Sequence, residues 1–560
     1  MYRPEKDRSY YLARHAKLLV ERSTWDSEAR DVADYHNPRL GRWVTTDRNV
    51  GGKRPRKIID STATFAVRAL VAGMMSGASS PGRQWFRWVP RDPDIAKRHS
   101  ARKWAEHATQ MTERMLRRSN TYRALPQMYE ELGLFGTGPA ILEPHPRRGI
   151  HLYPMTWGQY CIENDWEGNV TSVYREFETT VGELVAHFGY DRACSATRHN
   201  WDRRNYEHEV RIVHAIEPVH DMVTMGLGGS EQKWTSVYIE HGDDGNKQLL
   251  DEHEYDRFPV LCPRWEVTSN DAYGRGLAMA TLGDVMQLQH MQLQKAKAIE
   301  YQVEPPLDIP GDVKNRDIDR LPGGLTSTSG GERIQAMWEV RLNLADLKQS
   351  EDEIRQRLRT NYFTDLFLML ASSDRRQMTA TEVAERHQEK LLMLGPVYER
   401  MHTELFEPLV EFAFYEAMKR GEIMPPPPEL AGAELGIEFV SMLAQAQRAV
   451  GTVAVDRVLA VVQAVGAVGR PEAADKLDPD ALLDFYSDAL GAPVDILRST
   501  EEVQALRQAR AAAQAEAKKA EMMAVHAGAA RDMASAPTDQ RNALTDVVGM
   551  FSGYGTPGAA

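Results

Sequence analysis

Side chains able to do chemistry are plentiful in this chain, but their spacing does not assemble a working constellation. Gly73-Met74-Met75-Ser76-Gly77 sets a serine among glycines. Two residues separate Gly73 from Ser76 and none separates Ser76 from Gly77, which is the wrong spacing for a nucleophile elbow. No GxxxxGK[ST] run is present, so no loop of the P-loop type can cradle a nucleoside triphosphate, and no HExxH pair offers a zinc site. Asp243-Asp244-Gly245-Asn246 lacks the spaced carboxylates and closing glutamate of a calcium loop and reads as a turn. Cys161, Cys194 and Cys262 are scattered without a CxxC pair, which argues against a disulfide framework and fits a reducing compartment. His145, His151, His214 and His220 are spread through a β-rich region and read as structural or surface histidines. The expectation is a chain with no catalytic residues, no cofactor and no metal.

The elements that would position any site are long. With 68 basic and 80 acidic residues in 560, the net charge is −12, a poor balance for tight binding to nucleic acid, which rests on clustered Lys and Arg. Lys53, Arg54, Arg56 and Lys57 form a short basic run that a solvated loop explains as well as a nucleic-acid contact does. No stretch reaches the eighteen or more apolar residues of a membrane span, and MYRPEKDRSYYL has no apolar signal core, so no membrane partner is expected.

From Met378 to Arg420, Leu391, Leu394, Tyr398, Met401, Leu405, Leu409 and Phe412 recur at steps of three and four, the period of one helical face. Thr379 and Glu382 are placed as a capping box. Such a helix would span about 60 Å. Pro396 and Pro408 each remove a backbone donor and predict kinks; the alternative is two or three shorter helices broken at those points. Upstream, helices are expected over 3–35, 58–78, 101–119 and 121–134. Short strands then follow at 160–162, 170–177, 210–216 and 234–239, separated by turns. Helices return at 278–304, ended by Pro305-Pro306, and at 345–371, the first half charged and exposed, the second apolar and buried. Ser372 to Gln377 is a polar loop with no apolar anchor. A strand at 437–440 precedes Ala- and Val-rich helices, and the final thirty residues read as disordered. The fold class is α+β, mainly helical.

Several segments in this order resemble those of one family along nearly the whole chain. They are GMMSGASSPGRQWF, LFGTGPAIL, FPVLCPRWEVTSNDAYGRG running into LGDVMQLQHMQLQKA, VEPPLDIP, MTATEVAERHQEKLLMLGPVYERMHTELFEPLV and FVSMLAQAQR. The chain resembles the portal, or head-to-tail connecting, proteins of short-tailed bacteriophages; SMLAQAQR departs slightly from their Ser-Pro-Leu-Ala form. The resemblance implies a dodecameric ring at one capsid vertex of the virion, a sequence-independent conduit for double-stranded DNA in packaging and ejection. Its implied partners are the terminase, then a tail adaptor, with the major capsid and scaffolding proteins around it. It divides the chain into a wing (1–277), a first stem helix (278–304), a small α/β clip (305–344), a second stem helix (345–371), a tunnel loop (372–377), a long kinked wing helix and strand (378–440), a helical crown (441–530) and a disordered tail (531–560).

In such a ring an acidic wall repels the DNA backbone, so contacts must be local. The residues expected to meet DNA are Asp374, Arg375, Arg376 and Gln377 in the loop, with Lys295 and Lys297 on the first stem helix. For the cations the alternative is ordinary surface charge or ion pairing. The competing function is a nucleic-acid-processing enzyme of the packaging machinery, a nuclease or hydrolase.

Overall fold

A computed structural model describes residues 6–43, 57–96, 98–219, 233–241, 249–309, 318–319, 324, 333–337, 344–372, 393–430, 432–441, 462, 479–480, 482 and 500–534. Contacts divide the chain into two units, Met1–Ala96 with Ser100–Gly491, and Lys97–His99 with Ala492–Ala560. Helices joined to small antiparallel sheets make it α+β and mainly helical, as the alternation of patterns predicts.

The larger unit begins with a helix at Arg8–His36, whose start is capped by Asp7 accepting from the Tyr10 N–H. Tyr11, His15, Leu18, Arg22, Ala29, Val32 and His36 fall three, four or seven apart, and that face is buried. A second helix, Thr62–Gly77, lies at the centre and packs against Thr121–Phe135 and Thr364–Ser372. Gly73 permits the last of these contacts: a Cβ there would stand 2.7 Å from the Phe367 Cα. Phe86–Pro90 pairs with Leu435–Phe439 in antiparallel register, with Arg87 on Glu438 at 2.6 Å, so residues some 350 positions apart share one core.

The β-rich region is a three-stranded sheet (Gly149–Pro154, Ala140–His145, Val260–Leu261) and a five-stranded antiparallel one (Tyr160–Asn164, Val170–Thr180, Glu209–Pro218, Trp234–Glu240, Asp251–Tyr255). The strands expected at 160–162, 170–177, 210–216 and 234–239 are present, each one to three residues longer. Gly136 ends the helix Thr121–Phe135 in a left-handed turn (φ 75°), and Gly276 lies on it so closely that a Cβ would meet the Gly136 N and the Leu134 carbonyl oxygen at 2.7 Å. This contact joins the LFGTG and YGRG segments.

The first expected stem helix is observed as Leu277–Ala280 and Leu282–Val303. The second, expected unbroken over 345–371, is two helices, Leu344–Asn361 and Thr364–Ser372. Between them Phe363 takes φ 50°, a left-handed conformation that a bulky residue rarely adopts. Beside the break the Tyr362 hydroxyl, fully buried, bonds His36 Nε2 at 2.8 Å and Thr281 Oγ1 at 3.2 Å.

In the long helix, 393–401 is helical through Pro396. The departure from α-geometry is a π-helical turn at His402–Phe406, directly before Glu407–Lys419. Pro408 has no N–H to give the preceding turn, and a widened turn accommodates that missing donor. The expected cap at Thr379, residues 373–392, most of 310–343 and most of 442–499 lie outside the described residues. In the second unit, Thr500–Ala534 is one helix, continuing past residue 530, where helical structure was expected to end.

Candidate functional site

The six residues expected to meet DNA divide into two groups. Asp374, Arg375, Arg376 and Gln377 lie outside the described residues. Lys295 and Lys297 are both on Leu282–Val303, and their surroundings differ. Lys297 is exposed. Lys295 reaches across to the other stem helix, where its Nζ lies 3.0 and 3.2 Å from the two oxygens of Glu351.

Glu351 is the residue whose environment departs most from its sequence reading. In the run Lys348, Glu351, Asp352, Glu353 it reads as one more exposed charge, yet it is 1 % exposed. A carboxylate so placed needs cations. Besides Lys295 it has Arg355, one turn on, at 3.4 Å. Arg355 also donates through Nε and Nη2 to Asp60 Oδ2 at 3.1 and 2.9 Å, and through Nη1 to Asp352 at 2.8 Å. Burial alone would raise the Asp60 carboxyl, but hydrogen bonds from Thr62 and Arg355 hold it below the usual carboxylate range. Arg357 on Asp284 at 3.3 Å adds a tie between the stem helices.

Gln289 completes the joint. It is 4 % exposed; its Oε1 accepts from the Ile59 and Asp60 N–H groups at 2.6 and 2.7 Å, and its Nε2 donates to the Asp60 carbonyl at 2.8 Å. Both stem helices are thus fastened to the entry of Thr62–Gly77 by ion pairs and a side-chain amide. The chemistry of this joint is mechanical: Asp60, Gln289, Lys295, Glu351 and Arg355 are matched to one another. Sequence reasoning missed Asp60, Gln289, Glu351 and Arg355 as a set, because their partners lie up to 295 positions away.

The buried titratable groups elsewhere do not form a catalytic set. His214 Nε2 lies 2.8 Å from Ser236 Oγ, but its Nδ1 accepts from Arg175 Nε at 3.1 Å. That places the ring proton on Nε2, so the imidazole donates to the serine and cannot act as its base. Burial holds His214 well below its usual range. His145 accepts from the backbone of its own turn, His151 lies beside it, and His220 is outside the described residues. Burial pushes the Cys161 thiol up to about 11 and Cys262 to about 12, which keeps both protonated and unreactive. Among the described residues no group of three His, Cys, Asp or Glu side chains can hold a metal ion, and no helix is long and apolar enough to cross a membrane.

The two long helices are thus joined to each other and to the α+β body by ion pairs and the Gln289 amide. A family model described as "Bacteriophage head to tail connecting protein" matches residues 8–497. A "Probable portal protein" of Bordetella phage BPP-1 is 42 % identical over 555 residues, covering 98 % of this chain and 99 % of its own. The "Portal protein" of Salmonella phage epsilon15 is 35 % identical over 553 residues, covering 97 % and 98 %. The chain belongs to the bacteriophage head to tail connecting proteins. A solved neck of an empty gene transfer agent particle aligns at 10 % identity with a TM-score of 0.33, over 81 % of this chain and 96 % of that one, too distant to add to the assignment. Nothing in these relationships supports the nuclease or hydrolase reading.

Proposed function

We propose that this chain is the portal subunit of a short-tailed phage, twelve copies of which close into a ring at one capsid vertex. DNA enters through the ring during packaging and leaves through it during ejection. The terminase docks on it first and a tail adaptor replaces the terminase; capsid and scaffolding proteins hold its rim. The subunit is structural and needs no cofactor. The observation that carries this reading is the near full-length relationship to phage proteins bearing the portal name, at 42 % and 35 % identity.

In this reading 1–277 with the 378–440 helix and strand is the wing, and the pairing of Phe86–Pro90 with Leu435–Phe439 supports treating the two segments as one body. Residues 278–304 and 345–371 are the stem, 305–344 the clip, 372–377 the tunnel loop and 441–530 the crown. The first stem helix leaves Leu293, Ile299, Tyr301 and Val303 between 41 and 73 % exposed in a single subunit, and Ile299 and Val303, four apart on one face, are apolar side chains that a neighbouring copy would cover. Native mass spectrometry of the purified protein tests the assembly: closed rings of a single high-order mass are expected, and folded monomers at all concentrations would overturn the reading.

A further inference from the structure

One face of the body departs from the acidic character of the chain, and neither stem helix contributes to it. The hairpin joining Ala140–His145 to Gly149–Pro154 turns at Pro146-Arg147-Arg148. Its backbone is rigidly held: His145 Nδ1 accepts from the Arg147 and Arg148 N–H groups at 3.2 and 3.1 Å. Arg420, just beyond the helix Glu407–Lys419, donates to the carbonyls of His145, Pro146 and Gly149 at 2.8, 3.1 and 3.2 Å. Arg118, ending the helix His99–Arg118, lies 3.4 Å from the Arg148 carbonyl. The turn is therefore clamped against two helix C-termini, and guanidinium groups converge there.

Three of the cations in this region are neutralised: Arg117 by Glu113, Arg118 by Glu422 and Arg420 by Glu416. Arg114, Arg123, Arg147, Arg148 and Lys419 are exposed and have no ion pair among the described residues. Burial together with the neighbouring His145 and Arg148 holds the His151 ring below its usual range, a sign of the local positive field. Ile150 and Leu152 of the hairpin are buried beneath it, and its one exposed aromatic ring, Tyr153, has the Arg175 guanidinium over it. An interface for a folded protein is built around an apolar centre with charge at its rim. This face instead offers forked arginines on a rigid frame, which suits a polyanion gripped through its phosphates.

We propose that the face formed by Arg114, Arg123, Arg147, Arg148 and Lys419 binds the phosphate backbone of duplex DNA without regard to sequence, as a contact separate from the stem. It is additional to the conduit role and stands or fails independently of the ring.

The test is a salt titration of binding between the full-length assembled protein and a fluorescent random-sequence duplex of about 30 base pairs. Each phosphate contact contributes about 0.9 to the slope of log affinity against log salt. Arg123→Ala with Arg147→Ala and Arg148→Ala is expected to lower that slope by about 2 to 3 and to weaken binding at least tenfold at about 0.1 M salt. The corresponding triple change to lysine restores most of both. Unchanged slope and affinity in the alanine triple overturn the proposal. So does displacement by polyglutamate at lower charge concentration than by DNA, which would assign the face to an acidic polypeptide. Should the alanine triple fail to assemble, photocrosslinking of DNA to the wild-type protein decides. Crosslinks in 114–123 and 145–153 support the proposal, and crosslinks confined to 282–303 and 344–361 refute it.

Discussion

Glu131 is a buried carboxyl with no ion pair among the described residues, and its replacement by glutamine has a calculable consequence. It sits on Thr121–Phe135 at 4 % exposure, accepting from the Trp157 N–H at 3.1 Å. Burial outweighs that bond and the one from Thr156, and pushes its pKa from 4.5 up to about 8. The folded subunit therefore keeps a proton that the unfolded chain has lost. Stability from this group is fully present below about pH 4.5 and is surrendered progressively as pH rises to about 8. Between about pH 6 and pH 9 the folded state loses roughly 3 kcal/mol at this one position. For a cooperative unit of this size, with an unfolding entropy of about 2 cal/mol/K per residue, that is roughly 3 °C in Tm. The assay is thermal unfolding of wild type and Glu131→Gln across that pH range. Other titrating groups are common to both proteins and cancel in the difference, so the wild-type Tm is expected to fall about 3 °C further than the variant's. Parallel curves would refute the argument, because they would mean that Glu131 is ionised in the folded subunit.

Three further outcomes follow from the same reasoning. Glu351→Ala is expected to cost about 1–2 kcal/mol, since Lys295 and Arg355 remain about a quarter exposed and can turn to water; Lys295→Ala costs less because Glu351 keeps Arg355, and chemical denaturation of both variants checks the order. Gly276→Ala forces a Cβ onto backbone atoms at 2.7 Å and should abolish soluble folded protein, whereas Gly283→Ala meets nothing within 4 Å and should be neutral or slightly stabilising, as read by yield and circular dichroism. Arg375→Ala with Arg376→Ala is expected to change stability by less than about 0.5 kcal/mol while reducing genome packaging, measured as full-length DNA per particle; normal packaging would dismiss the tunnel-loop assignment.

What could be read from the sequence was whatever depends on local period and punctuation. The three-four spacing of Leu394, Tyr398, Met401, Leu405, Leu409 and Phe412 identifies a buried face, and each of those residues is buried. Pro408 signals a disturbed turn, and a π-helical turn lies directly before it. The glycines of LFGTG and YGRG were visible as motif letters, but their mutual contact was not. The break at Phe363 was illegible because the helical pattern runs through it, and the neighbouring Tyr362 hydroxyl bonds His36, 326 positions away. Glu351 was misread for the same reason: a carboxylate amid charges looks solvated until Lys295 and Arg355 are brought to it. The basic hairpin face was equally hidden, because its arginines come from separate elements and an overall charge of −12 conceals them.

The central claim is that copies of this chain surround a DNA-sized channel walled by the two stem helices. Electron cryomicroscopy of the assembled protein tests it directly. A closed ring is expected whose central opening is lined by Leu282–Val303 and Leu344–Asn361, with Ile299 and Val303 covered by the adjacent copy. A closed ring with those helices on its outer rim, or an open chain of subunits with no central hole, would contradict it.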